Sequence, residues 1–376
     1  MDTHAKHRIA VRTRSLRSDL KLTQEDLARA LGLGSRQIVA NIESGERAVS
    51  PEELVRLAEA LNTSVADLLD PFRLVGEEVA FSFRSAGADA SEIERFSETA
   101  GRWLATYREL QREMRPGGVS HFYRSMDLSV TSTFEQAQAA AEELRQDWEL
   151  GQRPAKNLAA AIEQHLQAIV LRVDMPAGIS GAATILDGLR AIFINAREAV
   201  GRQSFDVAHE LFHLLTWRAM PPEPVEPIQV PRTKGARVEQ LANNFASALL
   251  MPRDVVAAAW ERRGGLEIHD WINAEASQFL VSSDALSWRL LNLGLISRSS
   301  RNALDTSRLA NNGGHELQLN LKPFSNAFIA QICDATNEGR LSLRRAMTLL
   351  DVGEAELLRL FEMHGVESVY ASPANG

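Results

Sequence analysis

The sequence of 376 residues contains a single cysteine, Cys333. A disulfide framework needs pairs of cysteines and a thiolate zinc site needs several, so one chain can form neither. Such low cysteine usage is typical of proteins from a reducing cytosol. We therefore expect a cytoplasmic protein without disulfide bonds.

The chain also lacks an excess of positive charge and any long apolar run. Its formal net charge is −8, so the whole molecule is not a basic nucleic-acid coat, and any DNA binding must come from a local patch. No apolar run approaches the roughly 20 residues that a bilayer-spanning helix needs. Residues 1–20 are polar and do not resemble a signal peptide. These absences predict no membrane partner.

The first 70 residues carry the apolar spacing of short helices. Thr23 and Ser35 stand where two of these helices should begin, and Gly32 stands where the first should end. Residues 1–36 contain eight lysines and arginines against four acidic residues, whereas residues 37–70 are acidic. This one-sided basic patch is the electrostatic footprint expected of a DNA-binding surface.

The stretch LTQEDLARALGLGSRQIVANIESGERAVSPEELVRLAEALNTSVADLL resembles the XRE, or Cro/repressor-like, helix-turn-helix family across residues 9–70. By this resemblance Thr23–Leu31 is the second helix, and Ser35–Ser44 is the recognition helix that enters the major groove. The resemblance implies binding to an operator DNA. Modules of this kind bind paired half-sites as dimers, so a homodimer fits the prediction. The alternative is a helical module that binds proteins.

Five polar residues of this module are the predicted DNA contacts: Gln24, Ser35, Arg36, Gln37 and Asn41. Arginine and glutamine can form bidentate hydrogen bonds to guanine and adenine. Gln24, at the start of the second helix, would contact a backbone phosphate or help to position the recognition helix.

Residues 205–217, FDVAHELFHLLTW, place His209, Glu210 and His213 in an otherwise apolar helix. Side chains four residues apart lie on one helix face, so the two imidazoles can offer nitrogens to one ion. Glu210 lies about 100° further round the helix, where it can reach a water on that ion. This H-E-x-x-H spacing predicts a zinc site with a general base. A pair of ordinary core histidines is the alternative.

A catalytic zinc ion needs a third protein ligand and an open coordination position. The predicted helix VEQLANNFASALLMP (238–252) begins near Glu239, which is in line with its apolar stripe. A carboxylate on an inward face is unusual without a partner. A solvated glutamate in the first turn is, however, also favoured by the helix dipole. The spacing alone leaves both roles of Glu239 open.

Two segments, RAIFINAREAVGRQSFDVAHELFHLLTW and EQLANNFASALLMP, closely resemble the ImmA/IrrE family of bacterial metallo-endopeptidases over residues 165–255. The resemblance implies a zincin-like domain with one Zn²⁺ per chain. It makes His209, His213 and Glu239 the metal ligands and Glu210 the catalytic general base. It also implies a protein substrate, because proteases of this family cleave a partner repressor and thereby release its target genes.

Three further features concern the surroundings of this site. Asn243 and Asn244 either orient the metal ligands or form a hydrogen bond between helices. The run AIFIN is a candidate edge strand that could pair with an extended substrate. No oxyanion donor is assigned, because the tyrosines lie outside both motif segments: Tyr107, Tyr123 and Tyr370.

The periodicity along the chain predicts a mostly helical α+β protein. We divide it into an all-α XRE-type helix-turn-helix domain at 1–71, a helical connector at 72–150, a zincin-like metallopeptidase domain with a small β-sheet at 151–296, and a helical C-terminal region at 297–376. Within the third part, residues 178–188 suit turns between two strands. In the fourth, the polar stretch 297–314 with Arg298 and Arg301 is expected to be a solvated linker.

The leading hypothesis from sequence is a DNA-binding zinc metalloprotease that cleaves a helix-turn-helix repressor and so controls transcription. The alternative is a metal-binding XRE-type regulator without proteolytic turnover, and a third hypothesis is an antitoxin-like binding module. Glu210 favours the enzyme, because a purely structural metal site has no use for a general base.

Overall fold

The computed structural model describes residues 3–70, 81–85, 89–114, 125–186, 188–221, 225–227, 234–310 and 322–370. In chain order its helices are α1 (Thr3–Asp19), α2 (Gln24–Ala30), α3 (Arg36–Glu43), α4 (Pro51–Ala60), α5 (Val65–Leu69), α6 (Ala90–Met114), α7 (Phe134–Asp147), α8 (Leu158–Leu166), α9 (Val200–Thr216), α10 (Lys234–Leu250), α11 (Arg253–Glu261), α12 (Ile268–Phe279), α13 (Ser283–Asn292), α14 (Arg298–Asn302), α15 (Asn326–Asn337), α16 (Leu343–Leu350) and α17 (Glu354–Met363). The strands are β1 (Phe81–Ser85), β2 (Ile169–Val173), β3 (Ile179–Leu186), β4 (Leu189–Asn195) and β5 (Val225–Pro227). The predicted class, mostly helical α+β with a small sheet, is confirmed.

The chain forms two compact units. Unit 1 comprises Met1–Ala80, Ser97–Val119 and Glu338–Leu357, and unit 2 comprises Phe81–Phe96, Ser120–Asn337 and Leu358–Gly376. Each unit is thus assembled from separated stretches of sequence. The four-part division along the sequence stays a prediction.

In unit 1, helices α2, α4 and α5 begin after residues whose side chains cap them. The Thr23 and Ser50 side chains each accept a hydrogen bond from a backbone N–H in the first turn of α2 and α4. In return, the carboxylates of Asp26 and Glu53 accept hydrogen bonds from the backbone N–H groups of Thr23 and Ser50. Buried side chains such as Leu27, Val39 and Leu57 fill the space between the helices. The buried Arg12 donates hydrogen bonds to backbone carbonyls at the end of α5, where the helix dipole favours a cation.

The sheet of unit 2 has the strand order β2-β4-β3-β1-β5. Strand β4 pairs in parallel with β2 and antiparallel with β3. Both of its edges are therefore occupied, and the prediction that AIFIN forms an edge strand is wrong. Every residue of β4 is buried, which is the burial expected of a strand in the interior of a covered sheet.

The prediction of turns over residues 178–188 is also wrong, because Ile179–Leu186 form strand β3. Small residues, Gly181, Ala182 and Ala183, lowered the β-propensity of this stretch. Pairing on both sides, with β4 and β1, outweighs that low local preference. Helix α9 packs on β3 and β4, and α10 packs on α9 and α7. The core of unit 2 thus surrounds α9.

The polar stretch after residue 297 is not simply a solvated linker. Arg298 and Arg301 lie on α14, and Arg301 is buried. Its guanidinium forms an ion pair with Asp284 and stacks on the ring of Trp288, 4.4 Å from the ring centroid. Burial of its alkyl stem with a paired charge explains why a residue in a polar sequence is ordered. Arg298 is exposed, as predicted.

Within the described ranges, no helix combines the length and the apolar character needed to cross a bilayer.

Candidate metal centre and nucleic-acid interface

Helices α9 and α10 bring the three predicted ligands together. His213 Nε2 lies 3.1 Å from His209 Nε2 and 3.0 Å from Glu239 Oε1, and His209 Nε2 lies 3.2 Å from Glu239 Oε2. Both imidazoles are almost completely buried, whereas the Glu239 side chain keeps 16% of its surface exposed. Two nitrogens and a carboxylate that converge in this way could hold a metal ion, and catalytic zinc sites use the same kinds of donor.

Whether this cluster suits a cation depends on which ring nitrogen of His209 carries the proton. The His209 Nδ1 lies 3.1 Å from Asn243 Oδ1. An amide oxygen only accepts hydrogen bonds, so this contact is a hydrogen bond when Nδ1 carries the proton, and Nε2 of a neutral ring then keeps its lone pair. That lone pair faces the carboxylate oxygen of Glu239 at 3.2 Å. Two acceptors at this distance repel each other unless a proton or a metal ion lies between them, so the residues fit a divalent metal.

The carboxylate of Glu239 is held in its charged form. Burial raises the pKa of Glu239, but the positive charge of the His209 and His213 imidazoles in their protonated form outweighs burial and holds that pKa below its ordinary value. A metal cation bound between these side chains would favour the ionised carboxylate in the same way. An ionised carboxylate is the form that coordinates a metal. Glu239 is therefore ready to act as an anionic ligand at neutral pH.

The buried side chain of Glu210, the predicted general base, lies against strand β3. A Cβ atom at Gly181 would lie 3.1 Å from Glu210 Oε1 and 3.3 Å from the backbone oxygen of Phe193. Such contacts are tighter than ordinary van der Waals packing, so glycine leaves the room that this carboxylate occupies. A glycine inside a strand is a recognised sign of close approach, and this signal was available in the sequence.

The sequence left two roles open for the asparagines of α10, orienting the metal ligands or joining two helices, and each asparagine has the contacts of one of these roles. Asn243 bonds His209 and orients its ring. Asn244 accepts a hydrogen bond from Gln138 on α7 and donates one to its own helix, so it joins two helices. Asn243 lies one turn beyond Glu239 on the same face, and this spacing could have identified it. Among the described residues, the buried His213 Nδ1 has no hydrogen-bond partner.

A pocket of about 350 Å³ opens beside Asn243, between α9, α10 and α13. Phe205 and Trp288 give it apolar surface, while Ser247 and Asn292 add hydrogen-bonding groups. A mixed lining of this kind suits a side chain or a short stretch of peptide more than a metal ion.

The predicted DNA contacts lie in and around α3. Ser35, Arg36 and Gln37 are exposed at its start, while the half-buried Asn41 accepts a hydrogen bond from Gln37. Ser35 occupies the N-cap position without a side-chain capping bond, contrary to the capping role expected of it. Its hydroxyl therefore forms no capping hydrogen bond to the backbone of α3.

Gln24 is placed differently from these four residues. Its amide donates to Glu43 Oε2 at 2.9 Å, and Arg17 forms a bidentate ion pair with the same carboxylate at 2.6 and 3.1 Å. Glu43 is the last residue of α3. Of the two roles expected for Gln24, these contacts match the positioning of the recognition helix.

Family models match both halves of the predicted arrangement. Residues 14–68 match the helix-turn-helix model HTH_3, and residues 164–290 match the Peptidase_M78 model, whose description is IrrE N-terminal-like domain. The predicted architecture, an N-terminal helix-turn-helix domain followed by an ImmA/IrrE-like domain, is confirmed. The second match covers α9, α10 and the whole His–His–Glu cluster.

A comparison with curated proteins finds no match. Among solved structures, the chain is similar to the apo form of the competence regulator ComR from Streptococcus vestibularis, at 11% identity and a TM-score of 0.17, over 96% of this chain and 100% of that chain. It is also similar to apo ComR from S. thermophilus, at 12% identity and a TM-score of 0.17, over 95% and 94% of the two chains. TM-scores this low give no basis for transferring an overall arrangement or a function.

Proposed function

We propose that this chain, which joins a helix-turn-helix domain to an IrrE N-terminal-like domain, is a DNA-binding regulator that hydrolyses peptide bonds with a zinc ion. The observation that carries the proposal is the convergence of His209, His213 and Glu239, whose facing atoms lie 3.0–3.2 Å apart. These three side chains would hold one Zn²⁺ per chain. The buried Glu210 next to His209 adds the general base that hydrolysis needs.

A zinc ion at these ligands would polarise a peptide carbonyl and increase the acidity of water. Glu210 would remove a proton from the attacking water and then deliver it to the leaving amine. Asn243 would hold the His209 ring so that its free nitrogen stays directed at Glu239. The burial of these groups excludes bulk water, which strengthens the electrostatic interactions between them.

The proposed substrate is a helix-turn-helix transcriptional repressor. The motif segments around His209 and Glu239 support this choice, because repressors are the substrates of the family that they resemble. Cleavage of such a repressor would change transcription of the genes it controls. The DNA-binding domain of the chain itself would bring the protease to the operator.

Incubation of the zinc-loaded full-length chain with the repressors encoded beside it tests this proposal. We expect one of them to be cut at a defined bond, detected as two fragments by mass spectrometry. A chelator should stop the reaction, and added zinc should restore it, because only the metal-bound chain is active. Cleavage that continues at full rate in excess chelator would contradict the metal-dependent mechanism.

The DNA-binding half of the proposal is tested at Arg36, which is exposed at the start of α3. Arg36→Ala should weaken binding to a specific operator by about 1–3 kcal/mol, because a bidentate contact to a base is lost. Fluorescence anisotropy on labelled operator DNA measures the change. Arg56→Ala is the matched control, since it removes the same charge from an exposed position on α4. Equal losses in both variants would leave only a nonspecific charge effect and would contradict base reading by Arg36.

A further inference from the structure

Unit 1 contains an open pocket of about 400 Å³ that neither the metal centre nor the recognition helix uses. Its walls come from the end of α5, the middle of α6, and α16 together with the two residues before it. Seven of its lining residues are polar, and we call them together the arginine pocket: Asp70, Arg102, Thr106, Ser342, Arg344, Arg345 and Thr348. All of them belong to unit 1.

The cations of the arginine pocket are only partly neutralised. Arg345 Nη2 bonds Asp70 Oδ1 at 2.6 Å. Within the described part of the chain, Arg102 donates only to the Thr99 hydroxyl, and Arg344 has no side-chain partner. Two guanidinium groups from two helices thus share one concavity without a carboxylate between them. The pocket thus carries an excess of positive charge in a chain whose formal net charge is −8.

Helix α16 adds a second sign of an anion site. Its first turn contains Arg344 and Arg345 and no acidic residue. The N-terminus of a helix carries partial positive charge, so two cations there oppose the helix dipole. The Ser342 hydroxyl accepts the N–H of Arg345 as a cap, which leaves its O–H free to donate. An anion placed at this end would relieve the repulsion and receive hydrogen bonds from the cap.

We propose that the arginine pocket binds a small molecule through its phosphate monoester group. A monoester dianion matches the two guanidinium groups that lack carboxylate partners, and the planar guanidinium donates two parallel hydrogen bonds to phosphate oxygens. Its third oxygen meets the Ser342 hydroxyl and the first backbone N–H groups of α16. The concave shape suits a small molecule, whereas DNA would need an extended ridge of cations.

The bound phosphate competes with Asp70 for Arg345. Asp70 is the C-cap of α5, directly after the helix-turn-helix domain, and Arg12 holds its backbone oxygen at 2.6 Å. A ligand that draws Arg345 away from Asp70 therefore acts on the end of the DNA-binding domain. The site is independent of the zinc ion, so it stands or fails separately from the proposed protease activity.

Titration of the full-length chain with inorganic phosphate at pH 7.5 and constant ionic strength tests the proposal. Isothermal calorimetry gives the affinity, and the arginine Nε–H signals in NMR spectra report which guanidinium groups respond. Four proteins are compared: the wild type, the double variant Arg102→Gln/Arg344→Gln, the variant Asp70→Asn, and the control Arg14→Gln, which removes an exposed arginine of unit 1 outside the pocket. All substitutions are at surface positions except Asp70, which is half-buried.

We expect saturable phosphate binding by the wild type and the Arg14→Gln control. The double variant should bind phosphate at least about tenfold more weakly than the wild type. Asp70→Asn should bind phosphate more tightly than the wild type, because it removes the competing carboxylate; a purely structural role of Asp70 would not give this gain. Three results would overturn the proposal: no saturation in the wild type, equal affinity in the double variant and the control, or unchanged affinity in Asp70→Asn. Loss of operator binding by the double variant in phosphate-free buffer would also overturn it, because the arginines would then serve DNA.

Discussion

The His213→Ala variant should be purified with far less than one zinc ion per chain, whereas the wild type should carry about one. The alanine removes one of three converging ligands, so its two remaining partners cannot enclose the ion. Loss of a group that merely orients a ligand weakens metal binding by about 10–100-fold, and loss of the ligand itself should cost more. Elemental analysis after exhaustive dialysis, with a competing chelator to give the affinity, measures the effect.

A second variant guards against misfolding, because His213 is buried. Glu239→Gln keeps the shape of the side chain and removes its charge, so it should also lose zinc while the fold persists by circular dichroism. His165→Ala is the matched control, since this histidine stacks on Trp148 outside the cluster and is exposed. Stoichiometric zinc in His213→Ala, bound as tightly as in the wild type, would refute the ligand assignment.

The Glu210→Gln variant should keep its zinc and cleave the repressor substrate about 10²–10⁴ times more slowly. Glutamine has nearly the same volume as glutamate and fits the space that Gly181 leaves. It cannot accept the proton of the attacking water, because an amide is not a general base at neutral pH. Initial rates of fragment formation, measured with matched zinc content, separate this chemical effect from metal loss.

The control for this comparison is Glu261→Gln, which neutralises an exposed glutamate at the end of α11 in the same unit. It should cleave at the wild-type rate. Undiminished cleavage by Glu210→Gln would remove this carboxylate from the mechanism. If the wild type binds one zinc ion yet cuts none of the repressors, the alternative function, a metal-binding regulator without turnover, would be favoured instead.

Much of the fold could be predicted because its signals are local. The caps Thr23 and Ser50, the apolar spacing and the terminal glycines fix where most helices of the DNA-binding domain begin and end. The H-E-x-x-H spacing lies within a single helix, so its geometry follows from helical periodicity alone. Glu239 needed a different kind of signal, the resemblance of a second motif, because its partner lies on another helix.

The errors arose where tertiary contacts overrode the local pattern. Strand β3 contains small residues with weak strand preference, and only its pairing partners stabilise it. The interior position of β4 depends on which strands flank it, and periodicity carries no such information. Arg301 belongs to a polar sequence, yet Asp284 and Trp288 from another helix bury it. The contact of Asn243 with His209 likewise depends on the packing of α10 against α9.

Because the His–His–Glu cluster is buried, metal binding there would change the thermal stability of the protein. His209 and His213 lie in the core between the sheet and α10, and acceptor atoms that face each other there would repel unless a cation lay between them. A ligand that binds only the native state stabilises it by about 2.7 kcal/mol at a hundredfold excess over its dissociation constant. The melting temperature of unit 2 would therefore track the free zinc concentration. On the proposed zinc binding, cells starved of zinc would contain a less stable form of the protein that proteases degrade sooner, so metal supply would set how much of the protein persists.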